Sequence, residues 1–138
     1  MREYTFADIP VGLTESFSRT VTAEMLDAFR EVSGDTNPLH CDEAYAQAEG
    51  YPSRVVYGML TASFYSTLVG LYLPGKYALF QELETSFRAP VFVGDELTVT
   101  GEVIETRDTF KRITVKAVIK NQNGKTVSKA TIKAGVLR

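Results

Sequence analysis

The stretch from Tyr57 to Leu73 reads Tyr-Gly-Met-Leu-Thr-Ala-Ser-Phe-Tyr-Ser-Thr-Leu-Val-Gly-Leu-Tyr-Leu, and it constrains the fold more than any other part of the chain. Its residues are apolar or small almost all round. A helix at a protein surface carries a polar face, so a helix of this pattern has to be covered on most sides. No uninterrupted apolar run approaches the roughly 18 residues that a membrane span requires, so the cover is expected from protein, the rest of this chain or a partner chain, and not from lipid. Pro74-Gly75 stops the helix, and Pro74-Gly75-Lys76 lacks the glycine spacing of a phosphate-binding loop and reads as a turn.

The cover is legible downstream. Leu97, Val99, Gly101 and Val103 alternate with polar residues, and Ile113, Val115, Ala117 and Ile119 do the same. A period of two places each set on one face of a strand. Asn123-Gly124, lying between Ile119 and Val127, predicts a two-residue hairpin of type I′, which needs positive φ at both central residues. Upstream, a short strand is expected over Leu13 to Thr20. Thr22 then caps a helix whose apolar Met25, Leu26, Phe29 and Val32 recur at three- and four-residue steps until Gly34. Asp42 caps a short helix carrying Ala44, Tyr45 and Ala48, which Gly50 and Pro52 end. The order of elements predicts an α+β protein with a single hot-dog domain over residues 1–138. An antiparallel sheet wraps round a central buried helix, with extra short helices beside it. Such a sheet leaves edges and apolar margins to hide, so a homodimer or higher homo-oligomer is expected.

Charge narrows the partners. With 15 basic against 17 acidic residues in 138, the net charge of -2 offers no field for a phosphate backbone, and nucleic acid is not expected as a partner. The one cysteine, Cys41, closes no intramolecular disulfide and belongs to no metal-binding cluster, which fits a reducing compartment. The start, Met-Arg-Glu-Tyr-Thr-Phe-Ala-Asp, lacks the apolar core of a signal peptide, so a cytoplasmic protein with no membrane partner is expected.

The only histidine lies in Ser33-Gly34-Asp35-Thr36-Asn37-Pro38-Leu39-His40-Cys41-Asp42, a segment too rich in turn formers to be read as regular helix. Pro38 fixes its own φ and presses Asn37 towards an extended conformation, so the loop holds Asp35 and His40 in fixed relation. An imidazole and a desolvated carboxylate aimed at one point can together take a proton from water and return one elsewhere. Loop chemistry alone leaves the other reading open, in which Asp35 and Asn37 serve as turn formers and His40 as a packed side chain.

Gly34-Asp35-Thr36-Asn37-Pro38-Leu39-His40-Cys41-Asp42 resembles the signature of the MaoC-like, or R-specific, enoyl-CoA hydratases, which carry Asp-x-Asn-Pro-x-His. Tyr57-Gly58-Met59-Leu60-Thr61-Ala62-Ser63 is similar to the family's His-Gly-Met opening of its central helix. Arg88-Ala89-Pro90-Val91-Phe92-Val93-Gly94-Asp95 resembles its turn between strands. The resemblance implies hydration of a trans-2-enoyl thioester to the (R)-3-hydroxyacyl thioester. It implies no metal or cofactor, coenzyme A or phosphopantetheine being part of the substrate. Asp35 and His40 become the catalytic pair, and Gly58 supplies a backbone N–H to the thioester oxygen. Ser63 matches a pocket serine of the family; apart from the resemblance, Thr61 and Phe64 lie at helical spacing on a stripe suited to lining an acyl tunnel, and Asn37 is expected as a further substrate contact.

Each of these has a plainer alternative: Gly58 as a helix-packing glycine, Ser63 as a hydroxyl bonded back to its own helix, and Thr61, Phe64, Tyr65, Leu68 and Tyr72 as core. Met25, Phe29 and Val32 would face an acyl chain on that stripe. Arg88, Lys111, Arg112 and Lys116 suit either the phosphates of the carrier or a solvated strand face. Tyr57 departs from the family pattern, standing where histidine is usual. A dehydratase acting on acyl-carrier protein, a hot-dog thioesterase and a non-catalytic thioester-binding subunit are the rival readings.

Overall fold

Alternation of apolar and polar residues along the second half of the chain produces the sheet. In the computed structural model, which describes residues 1–138, five antiparallel strands run β1 (Thr14–Thr20), β2 (Ala78–Phe87), β3 (Glu96–Arg107), β4 (Arg112–Lys120) and β5 (Thr126–Val136), in the order β1-β3-β4-β5-β2. The register pairs Val99 with Ile119, Val103 with Val115, and Val115 in turn with Ile132. These side chains, with Leu97 and Ile113, form one fully buried face, the face that period two assigns to them. Against it lies α4 (Gly58–Thr67), continued by a single π-helical turn over Leu68–Tyr72. Leu60, Phe64, Tyr65, Leu68 and Val69 of this helix are buried, which is the hot-dog arrangement expected from the sequence. The cover is incomplete on one side, where Met59 is 61% exposed and Ser63 and Ser66 follow it along an open stripe.

Tyr65 shows how the buried helix keeps its polar atom satisfied. Its hydroxyl lies 2.8 Å from Ser128 Oγ on β5, and Thr85 of β2 hydrogen-bonds the same serine at 3.1 Å.

The first half forms α1 (Ala23–Ser33), α2 (Pro38–Cys41) and α3 (Glu43–Ala48). Thr22 Oγ1 accepts the Met25 N–H at 3.3 Å, Gly34 closes α1 at φ 72°, and Asp42 Oδ1 accepts the Tyr45 N–H at 3.1 Å, as the capping pattern predicts.

Two expectations are corrected. The segment before His40 is not wholly irregular, because Pro38–Cys41 makes one helical turn. Proline is well suited to the first helical position, where no N–H is needed, and Asn37 Oδ1 accepts the Leu39 N–H at 2.9 Å. Asn-Pro therefore starts a helix here as well as breaking the chain before it. The β4–β5 hairpin is not a two-residue type I′ turn. Gly124 alone takes positive φ, at 74°, while Asn121 Oδ1 accepts the N–H groups of Asn123 and Lys125. Gln122, Asn123 and Gly124 form a three-residue loop, in which a single left-handed glycine suffices.

Gly101 marks the closest approach of helix and sheet. A Cβ there would lie 2.7 Å from Leu68 Cδ2 and 3.0 Å from Val115 Cγ1, both in the dense core. Gly101→Ala should therefore lower the unfolding free energy by about 1–3 kcal/mol, read from urea or thermal denaturation.

Candidate active site

The N-terminus of α4 opens into a cavity of about 390 Å³ whose wall includes His40, Gly58, Thr61, Phe87, Arg88 and Val91. Several elements converge on it. The Val55 N–H donates to the Leu39 carbonyl at 3.1 Å and the Val56 N–H to the Val91 carbonyl at 2.8 Å, which ties α2 and the β2–β3 connection to the chain entering α4. His40, half-buried on α2, places Nδ1 2.7 Å from the Val55 carbonyl oxygen. A carbonyl only accepts, so Nδ1 carries the proton and the neutral ring keeps its lone pair on Nε2. That is the tautomer a proton acceptor needs.

Tyr57, the N-cap of α4, organises the remainder of this region. Its ring stacks on His40 with centroids 4.2 Å apart and meets Phe29 at 4.8 Å. Its hydroxyl donates to the Asp35 carbonyl oxygen at 2.6 Å. With that proton committed, the Cys41 thiol, 3.4 Å away, donates to the tyrosine oxygen. Burial, with Cys41 beside it, pushes the Tyr57 hydroxyl up to about 12, so it stays neutral through the working range. The residue that departs from the family pattern is thus the one that joins Asp35 to His40.

Asp35 is exposed, its Oδ1 accepting the Asn37 N–H at 3.0 Å; its backbone carbonyl is tied to Tyr57, whose ring stacks on His40, while Asp35 itself is not among the residues that line the cavity. Asn37 is also exposed, with Oδ1 used as the cap of α2. Gly58 is the first residue of α4, so its N–H has no partner within the helix and points along the positive end of the helix dipole. A Cβ on Gly58 would meet the Phe87 ring at 3.2–3.3 Å, so the absence of a side chain keeps this wall open. Thr61 stands on the same face three residues later.

Ser63 and Phe64 lie away from this cavity. They border a separate groove of about 460 Å³ with Met25, Phe29 and Val32, and Ser63 Oγ donates to the Leu60 carbonyl at 2.5 Å. Tyr65 and Leu68 are fully buried core, and Tyr72 stacks on Phe17 at 5.1 Å. Of the basic residues, Arg88 is on the cavity wall and also shares an adjoining groove with Lys116 and Lys129. Lys111 and Arg112 sit at the other end of β4, beside the β3–β4 turn. Sequence reasoning missed Val55, whose contribution is a backbone carbonyl, and the structural work done by Tyr57, for which its place directly before Gly58 was the available signal.

Tyr57→Phe should lower stability by about 1 kcal/mol by removing one hydrogen bond. Unfolded Tyr57 ionises near 10 and folded Tyr57 near 12, so its neutral-state stabilisation is complete below pH 10 and is lost as pH rises towards 12. Denaturation of both proteins across that window should show the difference between them shrinking.

Comparison with known proteins identifies the family. Residues 11–125 match the MaoC like domain. The chain is 39% identical over 116 residues to the (R)-specific enoyl-CoA hydratase of Aeromonas caviae, covering 84% of this chain and 87% of that one. It is 36% identical over 105 residues to a 3-hydroxybutyryl-CoA dehydratase of Methylorubrum extorquens, covering 76% and 67%. The solved structure of the A. caviae (R)-hydratase superposes with a TM-score of 0.89 at 35% identity, covering 93% of this chain and 97% of that one. On the match of its sequence over most of its length, and of its fold, the chain belongs to the MaoC-like family.

Proposed function

We propose that this protein is a lyase that reversibly adds water to a trans-2-enoyl-CoA to give the (R)-3-hydroxyacyl-CoA. The observation that carries the reading is one cavity shared by an imidazole with Nε2 free to accept a proton and an unpaired N–H at a helix N-terminus. Hydration places hydroxyl on C3 and hydrogen on C2 through an enolate-like state, with negative charge developing on the thioester oxygen. The Gly58 N–H and the helix dipole stabilise that charge where it forms. His40 Nε2 takes a proton from the attacking water, Asp35 helps to hold that water and balances the imidazolium, and the pair returns a proton to C2. The stereochemistry follows the (R)-specific relatives. The chemistry is acid–base throughout and draws on no cofactor beyond the coenzyme A of the substrate.

Arg88 and the adjoining Lys116 and Lys129 offer cations to the phosphates of that carrier. We also infer a homodimer. The edge strand β2 leaves its outer hydrogen-bonding groups unpaired and exposes Leu79, Phe80 and Phe87, the last of which reaches the cavity. No helix is long and apolar enough to cross a membrane. Cys41 is a free thiol, in keeping with a cytoplasmic setting.

The test is loss of the conjugated enoyl absorbance of crotonyl-CoA, followed by chiral analysis of the product. Rapid loss giving the (R)-alcohol is expected. Asp35→Asn and His40→Ala should each reduce kcat by about 10²–10⁴-fold while the protein stays folded. If the unaltered protein turned over neither crotonyl-CoA nor longer enoyl-CoA substrates, the function would be wrong. Near-normal rates in either variant would exclude the pair.

A further inference from the structure

Thr61 is 2% exposed, and its Oγ1 is shielded from solvent with no hydrogen-bond partner anywhere in the fold. Buried hydroxyls are almost always bonded, so an orphan on the wall of a cavity requires a reason. The usual local remedy is open to a helical hydroxyl and is visible two residues away, where Ser63 Oγ donates back to the Leu60 carbonyl. Thr61 does not take it. The Tyr57 carbonyl one turn back already accepts the Thr61 backbone N–H at 3.1 Å, while the hydroxyl stays unpaired. Packing does not account for the hydroxyl either. Leu60, Ala62, Phe64 and Tyr65 around it on α4 are buried, and a valine of the same shape would fill the site without leaving a polar atom stranded.

What remains is the cavity. Gly58 and Thr61 are three residues apart at the start of α4, on one face of the helix, and both line it. One offers a backbone N–H there, and the other carries an uncommitted O–H just beneath the cavity surface, within reach of a bound group after a small shift of the side chain. We propose that the Thr61 hydroxyl is a second hydrogen-bond donor to the thioester oxygen of the substrate, working beside the Gly58 N–H, which makes Thr61 a catalytic residue of the hydration reaction. The inference rests on the hydratase reading and extends it. A carbonyl oxygen that becomes enolate-like accepts two hydrogen bonds, and a donor that tightens as charge develops lowers the barrier more than it strengthens substrate binding. The same requirement explains why a hydroxyl is kept at a position where the folded chain does not use one.

The experiment compares the unaltered protein with Thr61→Val and Thr61→Ser, measuring kcat and KM for crotonyl-CoA hydration and the melting temperature of each. Thr61→Val should lose about 10- to 100-fold in kcat with KM changed less than about threefold, and its melting temperature should stay level or rise because an unpaired buried hydroxyl has been removed. Thr61→Ser, which keeps the donor, should retain most of the activity. Unimpaired kcat in Thr61→Val would overturn the role of Thr61 and leave the hydratase standing. So would a fall of several degrees in its melting temperature, which would reveal a structural bond, or equal loss in Thr61→Ser. An unaltered protein with no turnover would remove the hydratase reading and the role of Thr61 together.

Discussion

Packing of the α4 helix against the buried face of the sheet is the constraint on which the remaining structure depends. Leu68 rests over Gly101, where no side chain separates them, and Tyr65 reaches through the core to Ser128 and so to Thr85. This contact sets the height and angle of the helix on the strands. Because the helix is rigid, it also sets where its N-terminus emerges. That point is where the β2–β3 connection, the start of β5 and the short helix α2 come together, and their meeting encloses the cavity.

The site is assembled in two layers. Nearest the cavity are His40, the first turn of α4 and the rim formed by Phe87 and Arg88. Behind them, Tyr57 supports the imidazole with its ring and holds the Asp35 backbone with its hydroxyl. A histidine at this position would offer a smaller, titrating ring. The tyrosine instead gives a neutral donor over the whole physiological range, because burial disfavours its phenolate. It ties the Asp35 backbone to the His40 ring without introducing a second charge.

Much of this was open to reading from the chain. The all-round apolar helix, the period-two strands and the caps at Thr22, Gly34 and Asp42 are local patterns, and they appear where the pattern puts them. The departures are also local in origin. The segment holding Asn37-Pro38 was read as too rich in turn formers for helix, although proline at a first helical position is an ordinary beginning. Asn-Gly was read as a two-residue turn, although Asn121 two residues before Asn123 bonds the loop into a three-residue form. Among hydroxyl residues of α4, composition drew no line between Thr61 and Ser63. The structure separates them, one on the wall of the cavity that His40 also lines, with its hydroxyl unpartnered, and the other on a different groove with its hydrogen already given.

The sequence by itself determined most of the segments that become helix or strand, though not the edge strand β2, whose apolar residues do not alternate cleanly, and it determined that aspartate, histidine and a helix-opening glycine stand at the spacing of a known family. These depend on side-chain identity and on periodicity along the chain. Tertiary structure alone decided which nitrogen of His40 carries the proton, what holds Asp35 in place, and which hydroxyl is left without a partner. The acceptors concerned, the carbonyls of Val55 and Asp35, are backbone atoms that every residue possesses. Only the folded path of the chain brings them within hydrogen-bonding reach.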